Sequence, residues 1–520
     1  MTMISLITNI LRQAFSPPPL LPGPEKHSLR SRIKNFFTLK TLFGYPPPPL
    51  DPSRETAWLD GLRGVAAFLV MTYHFHLTFW MPFYLETPFG GYEVKEGKKL
   101  GDPHMELWRL PFIRLWMGSG HAQVSVFFVL SGFVLSWGPL QKIQRGDLEK
   151  FAEGLGSATL RRWIRLFLPC FAVAFWECLE LYFGFRTMPK EPKSNLFAQI
   201  WEYVGEQAEF ANPFNVNRTP YNSLNAYDFT MWTIPYEWAG SLLVFLVLLA
   251  VCRVKSFLRR TMVLLVVAVW ACVRAEWNFF LFGTGMVVAS YVRFMGGFKN
   301  VGQRRWRSGI AWTGGLILSL LMAGIPEDSV FFTRPGYDWT RALTPERWME
   351  HEGGVRFWWC WAGILFITSA CHLPRVQRFF ELGLMRYLGR ISYMLYLTHR
   401  VVLNLLGAPL EGAIVAFFGR KEWIDGNRSG DPFGTLIIYL ILMGVLLPIA
   451  ILVAHWCEML IDAPSTRFAR SVDRWFTMEF DAGSPAGATE MARQEEQIEL
   501  LPRDDSTLEQ GEMAEEVRPP

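Results

Sequence analysis

Long apolar stretches recur along the chain between residues 62 and 456 and are separated by shorter polar segments. About 20 apolar residues in a helix are needed to cross the hydrocarbon core of a bilayer, because each residue adds only 1.5 Å. The pattern predicts an all-α fold, a polytopic membrane bundle of about ten transmembrane helices. The predicted spans are Leu62–Pro82, His121–Trp137, Ile164–Phe183, Met231–Cys252, Thr261–Arg274, Trp277–Phe294, Gly309–Gly324, Val355–Leu373, Ile391–Ala408 and Thr435–Trp456.

Two of these spans are close neighbours in the sequence. Thr261–Arg274 is shorter than the ~17 residues that a span normally needs. Only Ala275 and Glu276 separate it from Trp277–Phe294. We therefore predict that the two segments form a tight helical hairpin.

Arg and Lys are concentrated in alternate connections between the predicted spans. Cytosolic loops of membrane proteins are enriched in these residues, whereas the loops on the other side are not. With ten spans, the alternation predicts that both termini lie in the cytosol. The basic connections are Gln141–Arg162, Arg253–Arg260, Arg293–Arg307, Pro374–Arg390 and Arg467–Arg474.

Two Asn-x-Ser/Thr triplets agree with this orientation. They begin at Asn217 and Asn427, and both fall in loops that are predicted to face the lumen. Such triplets are acceptors for N-glycosylation. The chain is therefore a candidate glycoprotein.

The two ends of the chain differ from its apolar middle. Residues 1–55 contain proline runs and a mixed basic and apolar stretch, Ser28–Phe43, which fits an amphipathic helix on an anionic membrane surface. Residues 471–520 are acidic and lack periodicity, as is typical of a disordered tail. We predict that cytosolic terminal segments flank a membrane-embedded domain at residues 56–470.

Composition narrows the possible classes of protein. Charged residues make up 19% of the chain and hydrophobic residues 51%, whereas soluble domains contain ~25% charged residues. These values exclude a disordered chain, a collagen-like repeat and a highly charged nucleic-acid-binding protein. The seven cysteines lie in or beside apolar stretches without Cys-x-x-Cys spacing. We therefore predict neither a metal site nor a disulfide framework.

Ionisable residues within the predicted spans are costly and are therefore candidates for function. Arg63 and His74 lie in the first span, eleven residues apart. At 100° per residue their side chains share one helix face, ~16 Å apart along the axis. An arginine at the cytosolic end and a buried imidazole on the same face suit a long anionic cofactor. The alternatives are a membrane-interface anchor for Arg63 and an interhelical hydrogen bond for His74.

Four further polar side chains are candidates. His399 lies in the middle of its span and could orient a substrate, pair with His74 or serve helix packing. Glu237 could bind an acceptor hydroxyl or hold a histidine tautomer, or it could pair with an Arg or Trp donor. Arg162 and Arg165 could clamp phosphates through bidentate hydrogen bonds, or they could be topology-setting charges.

At these residues the chain resembles the acyltransferase type 3 family of integral-membrane acyltransferases. Six blocks carry the resemblance, in the family's order, over about residues 56–470. In the fourth block, Thr233 replaces the family's Ser and Pro235 is additional. The blocks are Asp60-Gly61-Leu62-Arg63-Gly64 followed by His74, Phe127–Phe133, Arg162-x2-Arg165 with Pro169, Trp232-x4-Glu237, Leu388–Tyr393 followed by Tyr396-Leu397-x-His399, and Glu458 through Pro464.

The resemblance implies an acyl-coenzyme A donor, with acetyl as the family's most usual cargo. The acceptor would be a hydroxyl group on a small molecule, a lipid or a glycan, and the lipid bilayer would be the surroundings. The implied catalytic candidates are His74, His399 and Glu237, and the implied donor-binding candidates are Arg63, Arg162 and Arg165.

We expect His74 to act as a general base on the acceptor hydroxyl, because a low-dielectric interior disfavours the charged imidazolium. Tyr393, Tyr396 and Ser131 are candidate donors to the oxyanion. A multi-pass proton-coupled transporter is the alternative, because buried His, Arg and Glu also suit transport. The endoplasmic reticulum, the plasma membrane and the vacuolar membrane are the expected locations.

Overall fold

A computed structural model describes most of the predicted membrane domain. The predicted terminal segments lie almost entirely outside the described residues, and both glycosylation triplets lie outside them. Contacts group residues 1–471 into one unit and residues 472–520 into a second, of which residues 472–477 are described. The described ranges are 54–79, 87–185, 190–213, 224–302, 306–327, 333–351, 354–419 and 432–477.

Helices make up most of the described backbone, which confirms the predicted helical class. Two helices continue into π-helical turns, at Leu403–Gly407 and Glu458–Asp462, and a 3₁₀ turn at Phe229–Trp232 precedes another. The α-helices are α1 Ala57–Phe79, α2 Leu115–Gly118, α3 Gly120–Arg145, α4 Leu148–Tyr182, α5 Leu196–Phe210, α6 Thr233–Val251, α7 Phe257–Val273, α8 Trp277–Phe294, α9 Phe298–Gly302, α10 Trp306–Ala323, α11 Trp339–Leu343, α12 Val355–His372, α13 Pro374–Phe380, α14 Gly383–Val402, α15 Ala408–Phe417, α16 Pro432–Cys457 and α17 Ala463–Thr477.

The connection between α1 and α3 contains two short antiparallel strands, β1 at Glu93–Lys95 and β2 at Lys98–Leu100. Beside them, Glu106 lies 3.4 Å from Nδ1 of His104 and accepts a 2.8 Å hydrogen bond from Arg109 Nε. Burial raises the pKa of Glu106, but the hydrogen bond with His104 and the charge of Arg109 outweigh it and lower that pKa to about 2. An ionised carboxylate therefore holds this connection together.

Four described helical stretches are long and apolar enough to cross a membrane, judged by length and composition. Each overlaps one of the predicted spans, and a shorter apolar helix at Ser308–Ala323 overlaps another. The total of ten spans and the cytosolic position of both ends remain predictions. The four stretches are Gly120–Arg145, Phe229–Val251, Gly383–Phe417 and Leu436–Thr477.

Helices α7 and α8 form the predicted hairpin. Ala275, between them, has a left-handed backbone with φ of 59°. Its N–H donates to the carbonyl of Cys272 at 3.1 Å, and the N–H of Glu276 donates to Ala271 at 2.9 Å. These bonds satisfy the last carbonyls of α7 and reverse the chain within three residues.

Three segments that were predicted as basic connections are helical over nearly all of their length, and one of them, Arg467–Arg474, lies wholly within α17. In Gln141–Arg162, Gly146 adopts a φ of 81° and ends α3, and the Asp147 side chain caps α4 by accepting from Lys150 N–H. Arg145, Glu149, Lys150 and Glu153 are exposed near these helix ends, whereas Arg162 lies further inside α4 and is partly buried. The segment Pro374–Arg390 likewise contains α13 and the first turns of α14.

Helices α1 and α14 approach each other so closely that their backbones touch. A Cβ atom on Gly64 would lie 2.2 Å from the backbone nitrogen of Gly389. A Cβ atom on Gly389 would lie 2.3 Å from the carbonyl oxygen of Asp60. Small residues at a helix interface permit this kind of approach, which side chains of any size would prevent.

Candidate active site

Two histidine side chains meet between α1 and α14. Nε2 of His399 lies 3.0 Å from Nδ1 of His74. The two imidazole rings stack with centroids 4.9 Å apart. His399 is fully buried. Gly64 contacts Gly389, and ten residues later in each helix His74 contacts His399. Helices α1 and α14 are therefore parallel.

The hydrogen-bond partners of the pair assign its tautomers. Nδ1 of His399 lies 3.2 Å from the Leu395 carbonyl, which can only accept, so in the neutral ring Nε2 of His399 is an acceptor. Nδ1 of His74 faces that acceptor and the Val70 carbonyl at 3.0 Å, so it carries the proton. Nε2 of His74 then has a free lone pair. Within the described chain, this nitrogen has no hydrogen-bond partner.

Arg63 is attached to α14 as well. Its Nε donates to Ser392 Oγ at 2.9 Å, and its Nη2 donates to the Gly389 carbonyl at 3.0 Å. The Arg63 side chain remains 44% exposed, so its guanidinium can still donate hydrogen bonds to a further anionic partner. Arg63 and His74 both contact α14 and therefore share one face of α1, as their spacing predicts.

Glu237 forms an ion pair with Arg162 and does not join the histidine pair. Nη2 of Arg162 donates to Glu237 Oε1, and Nε of Arg162 donates to Ser241 Oγ at 2.7 Å. Ser131 donates a second hydrogen bond to the same carboxylate oxygen, at 2.5 Å. Glu237 was predicted to bind an acceptor hydroxyl, hold a histidine tautomer or pair with an Arg or Trp donor. The structure shows the pairing with an arginine.

Arg165 lies within electrostatic range of both other arginine candidates. The charges of Arg63 and Arg162 repel that of Arg165, which Asp462 attracts. We refer to Arg63, Arg162 and Arg165 as the arginine cluster. Guanidinium groups in this arrangement suit phosphate oxygens. In the described ranges, no group of three or more His, Cys, Asp or Glu side chains is placed to hold a metal ion.

The three candidate oxyanion donors have other hydrogen-bond partners. Ser131 donates to Glu237. Tyr393 donates to the carbonyl of Leu166, and Tyr396 donates to the carbonyl of Thr230. Each hydroxyl ties two helical segments together.

His76 has a structural environment. It is buried, with Nδ1 2.5 Å from the Thr72 carbonyl and Nε2 2.5 Å from the Tyr439 hydroxyl. Both ring nitrogens are therefore engaged within the bundle. Two residues from His74 in sequence, it lies on a different face of α1.

Two residues beside the histidine pair were not identified from the sequence. His121 and Arg400 both interact electrostatically with His74. The ring of Tyr73 lies between His121 and His74, with centroid distances of 5.5 and 5.4 Å. Arg400 directly follows His399, and His121 lies in the first turn of α3. The sequence alone does not show that either residue is near His74.

Comparison with known proteins gives concordant matches. The model of a family described as an acyltransferase domain matches residues 56–455. The O-acetyltransferase PaAT-1 from Phomopsis amygdali is 30% identical over 435 residues, which cover 75% of this chain and 83% of the relative. No solved structure matches the chain significantly. The family match includes the histidine pair and the arginine cluster.

Proposed function

The chain belongs to the acyltransferase type 3 family and is an O-acyltransferase of the membrane, and from this premise we propose that it uses acyl-coenzyme A. We propose acetyl as the acyl group, which the name of the Phomopsis amygdali relative supports. The observation that best supports acyl transfer is the contact between His399 and His74. It leaves Nε2 of His74 free on the same helix as Arg63.

In the proposed reaction, Nε2 of His74 accepts the proton of the acceptor hydroxyl. The oxygen attacks the thioester carbonyl carbon, and the tetrahedral intermediate then expels the coenzyme A thiolate. The thiolate takes the proton back from His74, so an ester and a free thiol are formed. His399 accepts the hydrogen bond from Nδ1–H of His74 and so stabilises the imidazolium, as the carboxylate does in a catalytic triad.

The arginine cluster would hold the phosphates of the donor. Arg63 and His74 are separated by ~16 Å along α1, a distance that a long anionic donor can bridge. Glu237 is then a positioning residue, because it contacts Arg162 and Ser131 and fixes the direction of the Arg162 guanidinium. We therefore propose a positioning role for Glu237 instead of the catalytic role that the family resemblance implies.

The acceptor in this proposal is a hydroxyl-bearing small molecule, lipid or glycan. We further propose a multi-pass arrangement with both ends in the cytosol, in the endoplasmic reticulum, plasma or vacuolar membrane. The four apolar helical stretches support insertion in a bilayer.

The test uses the purified full chain in lipid nanodiscs with acetyl-coenzyme A labelled in the acetyl group. A panel of alcohols, sterols and glycosides serves as acceptors, and free thiol and labelled ester are measured together. We expect both products in equal amounts with at least one acceptor. Counterflow of an unmodified solute in proteoliposomes, without thiol release, would instead identify the transporter alternative.

The Arg162–Glu237 pair gives a separate prediction. Arg162→Ala removes the charge-assisted hydrogen bonds that the guanidinium would donate to the phosphates of the donor, which are worth ~1.5–3 kcal/mol each. We therefore expect the donor KM to rise roughly 10- to 100-fold. Glu237→Gln keeps an oxygen for Arg162 and Ser131, so we expect a smaller rise in donor KM with kcat nearly unchanged. Initial rates at varied donor concentration separate the two constants.

The matched control is Arg259→Ala, which removes an exposed arginine of α7 outside the cluster and should leave both constants unaltered. If Glu237→Gln lowers kcat about 100-fold at unchanged KM, Glu237 takes part in the chemical step. Its assignment as a positioning residue would then be wrong.

A further inference from the structure

Helix α5 has the reverse of the polarity pattern of a helix on the surface of a soluble protein. Gln199 and Gln207 are buried, at 0% and 4% exposure. Phe197, Trp201 and Val204 are 78%, 72% and 51% exposed. At 100° per residue these three positions fall within ~60° of one another and form a continuous outward stripe. Polar amides inward and large apolar groups outward are expected where lipid is the solvent.

Two of the three glutamates of α5, Glu202 and Glu206, form ion pairs within the chain. Lys190 Nζ lies 2.8 Å from Glu206 and 3.3 Å from Glu202. Lys193 Nζ lies 3.0 Å from Glu202. Both lysines precede the helix and approach it from the side. Pairing of this kind lowers the cost of placing carboxylates near a low-dielectric medium.

Contacts with α4 give the direction of α5. The Tyr203 hydroxyl donates to the Phe171 carbonyl at 2.7 Å. The Trp163 indole donates to the Ala211 carbonyl at 3.3 Å. As residue numbers rise along α5 they fall along α4, so the helices are antiparallel. The last turn of α5 thus reaches Trp163, next to Arg162 of the arginine cluster.

Helix α5 also packs beside a stretch that can span a membrane. Gln199 donates a 3.0 Å hydrogen bond to Tyr227, two residues before the stretch Phe229–Val251 begins. At the other end of α5, Ala211 accepts from Trp163, whose neighbour Arg162 donates to Glu237 and Ser241 within that stretch. The outward stripe of α5 therefore lies at the depth of the bundle's own apolar helices.

We propose that α5 is a half-membrane helix, whose stripe of Phe197, Trp201 and Val204 contacts lipid acyl chains. It enters the bilayer beside α4 and ends at the level of the arginine cluster. The connection between α4 and α6 is then partly intramembrane instead of a wholly lumenal loop. This inference stands independently of the acyl-transfer proposal, because it rests on burial and packing alone.

The test places single cysteines in the full chain in nanodiscs and measures their reaction with a membrane-impermeant maleimide. The variants are Trp201→Cys and Val204→Cys. Lys98→Cys, on the exposed strand β2, is the aqueous control, and Leu440→Cys, on the exposed apolar face of α16, is the lipid control. The parent chain gives the background of the seven native thiols. We expect both α5 variants to react about tenfold or more slowly than Lys98→Cys, because the reactive thiolate is disfavoured in hydrocarbon.

A second measurement distinguishes lipid from a protein partner. A fluorophore is attached to the same cysteines in detergent, and the protein is then transferred to nanodiscs that contain lipids with nitroxide on the acyl chain. We expect quenching at residues 201 and 204 equal to that at residue 440. Maleimide labelling as fast as at residue 98 would place the stripe in water. Slow labelling without quenching would mean that protein covers it, and either result overturns the proposal.

Discussion

Replacing His74 by alanine is expected to lower the rate of acyl transfer roughly 10²- to 10⁴-fold, the usual contribution of a general base. The cause is the loss of Nε2, the nitrogen that the hydrogen bonds to Val70 and His399 leave unprotonated. Donor affinity should hardly change, because the arginine cluster is intact. Initial rates of labelled ester formation and calorimetric binding of coenzyme A measure the two effects separately.

Variants of His399 test how the pair works. His399→Gln retains an oxygen that can accept the hydrogen bond from Nδ1–H of His74, whereas His399→Leu does not. We therefore expect the Gln variant to retain more activity than the Leu variant. The matched control is His372→Asn, at a buried histidine of α12 that stacks on Trp312. If acyl transfer persists in His74→Ala, another group is the base.

Gly64→Ala is expected to separate α1 from α14. The added Cβ would lie 2.2 Å from the Gly389 nitrogen, and backbone cannot yield as a flexible side chain can. Overpacking of this kind costs ~1–3 kcal/mol and occasionally more. A clash with backbone belongs to the upper part of that range, which exceeds the ~1 kcal/mol that alanine gains over glycine in a helix. A shift of ~1 Å between catalytic groups can cost ~10²-fold in rate, so activity should fall even in molecules that remain folded.

Thermal unfolding in nanodiscs and the specific activity of the folded fraction measure this prediction. Gly444→Ala is the control, because a Cβ on that helical glycine meets nothing within 4 Å. There only helix propensity acts, so stability should stay level or rise slightly. Equal stability and activity of the two alanine variants would show that α1 and α14 can pack without their glycine contact.

The helical class and the shared face of Arg63 and His74 could be predicted from the sequence, because helix periodicity and hydrophobic length are local properties. Pairing of Glu237 with an arginine was one of the predicted alternatives, but that the partner is Arg162 could not be predicted. It depends on where α4 and α6 begin, and charged residues extend α4 beyond its apolar part. The inverted polarity of α5 was also missed, because a short helix with three glutamates has no long apolar run.

The polarity of the predicted spans and the resemblance to a family together gave the candidate site residues, but their separate roles depend on three-dimensional neighbours. Nδ1 of His399 lies against the carbonyl of Leu395, one turn earlier in the same helix. Only Nε2 of His399 can therefore face His74. No spacing rule connects positions 325 residues apart. The same limit applies to His121, whose place beside Tyr73 is a tertiary contact.

The pairing of the first described helix with one that begins at residue 383 has a consequence for biosynthesis. At the usual 5–20 residues per second of translation, roughly 15–65 s pass between synthesis of residue 74 and of residue 399. During that interval Arg63 and His74 have left the ribosome without the helix that satisfies them. Insertion factors that shield polar transmembrane segments should therefore bind the nascent chain, and ribosome-bound fragments that stop before residue 383 should be degraded faster than those that include α14.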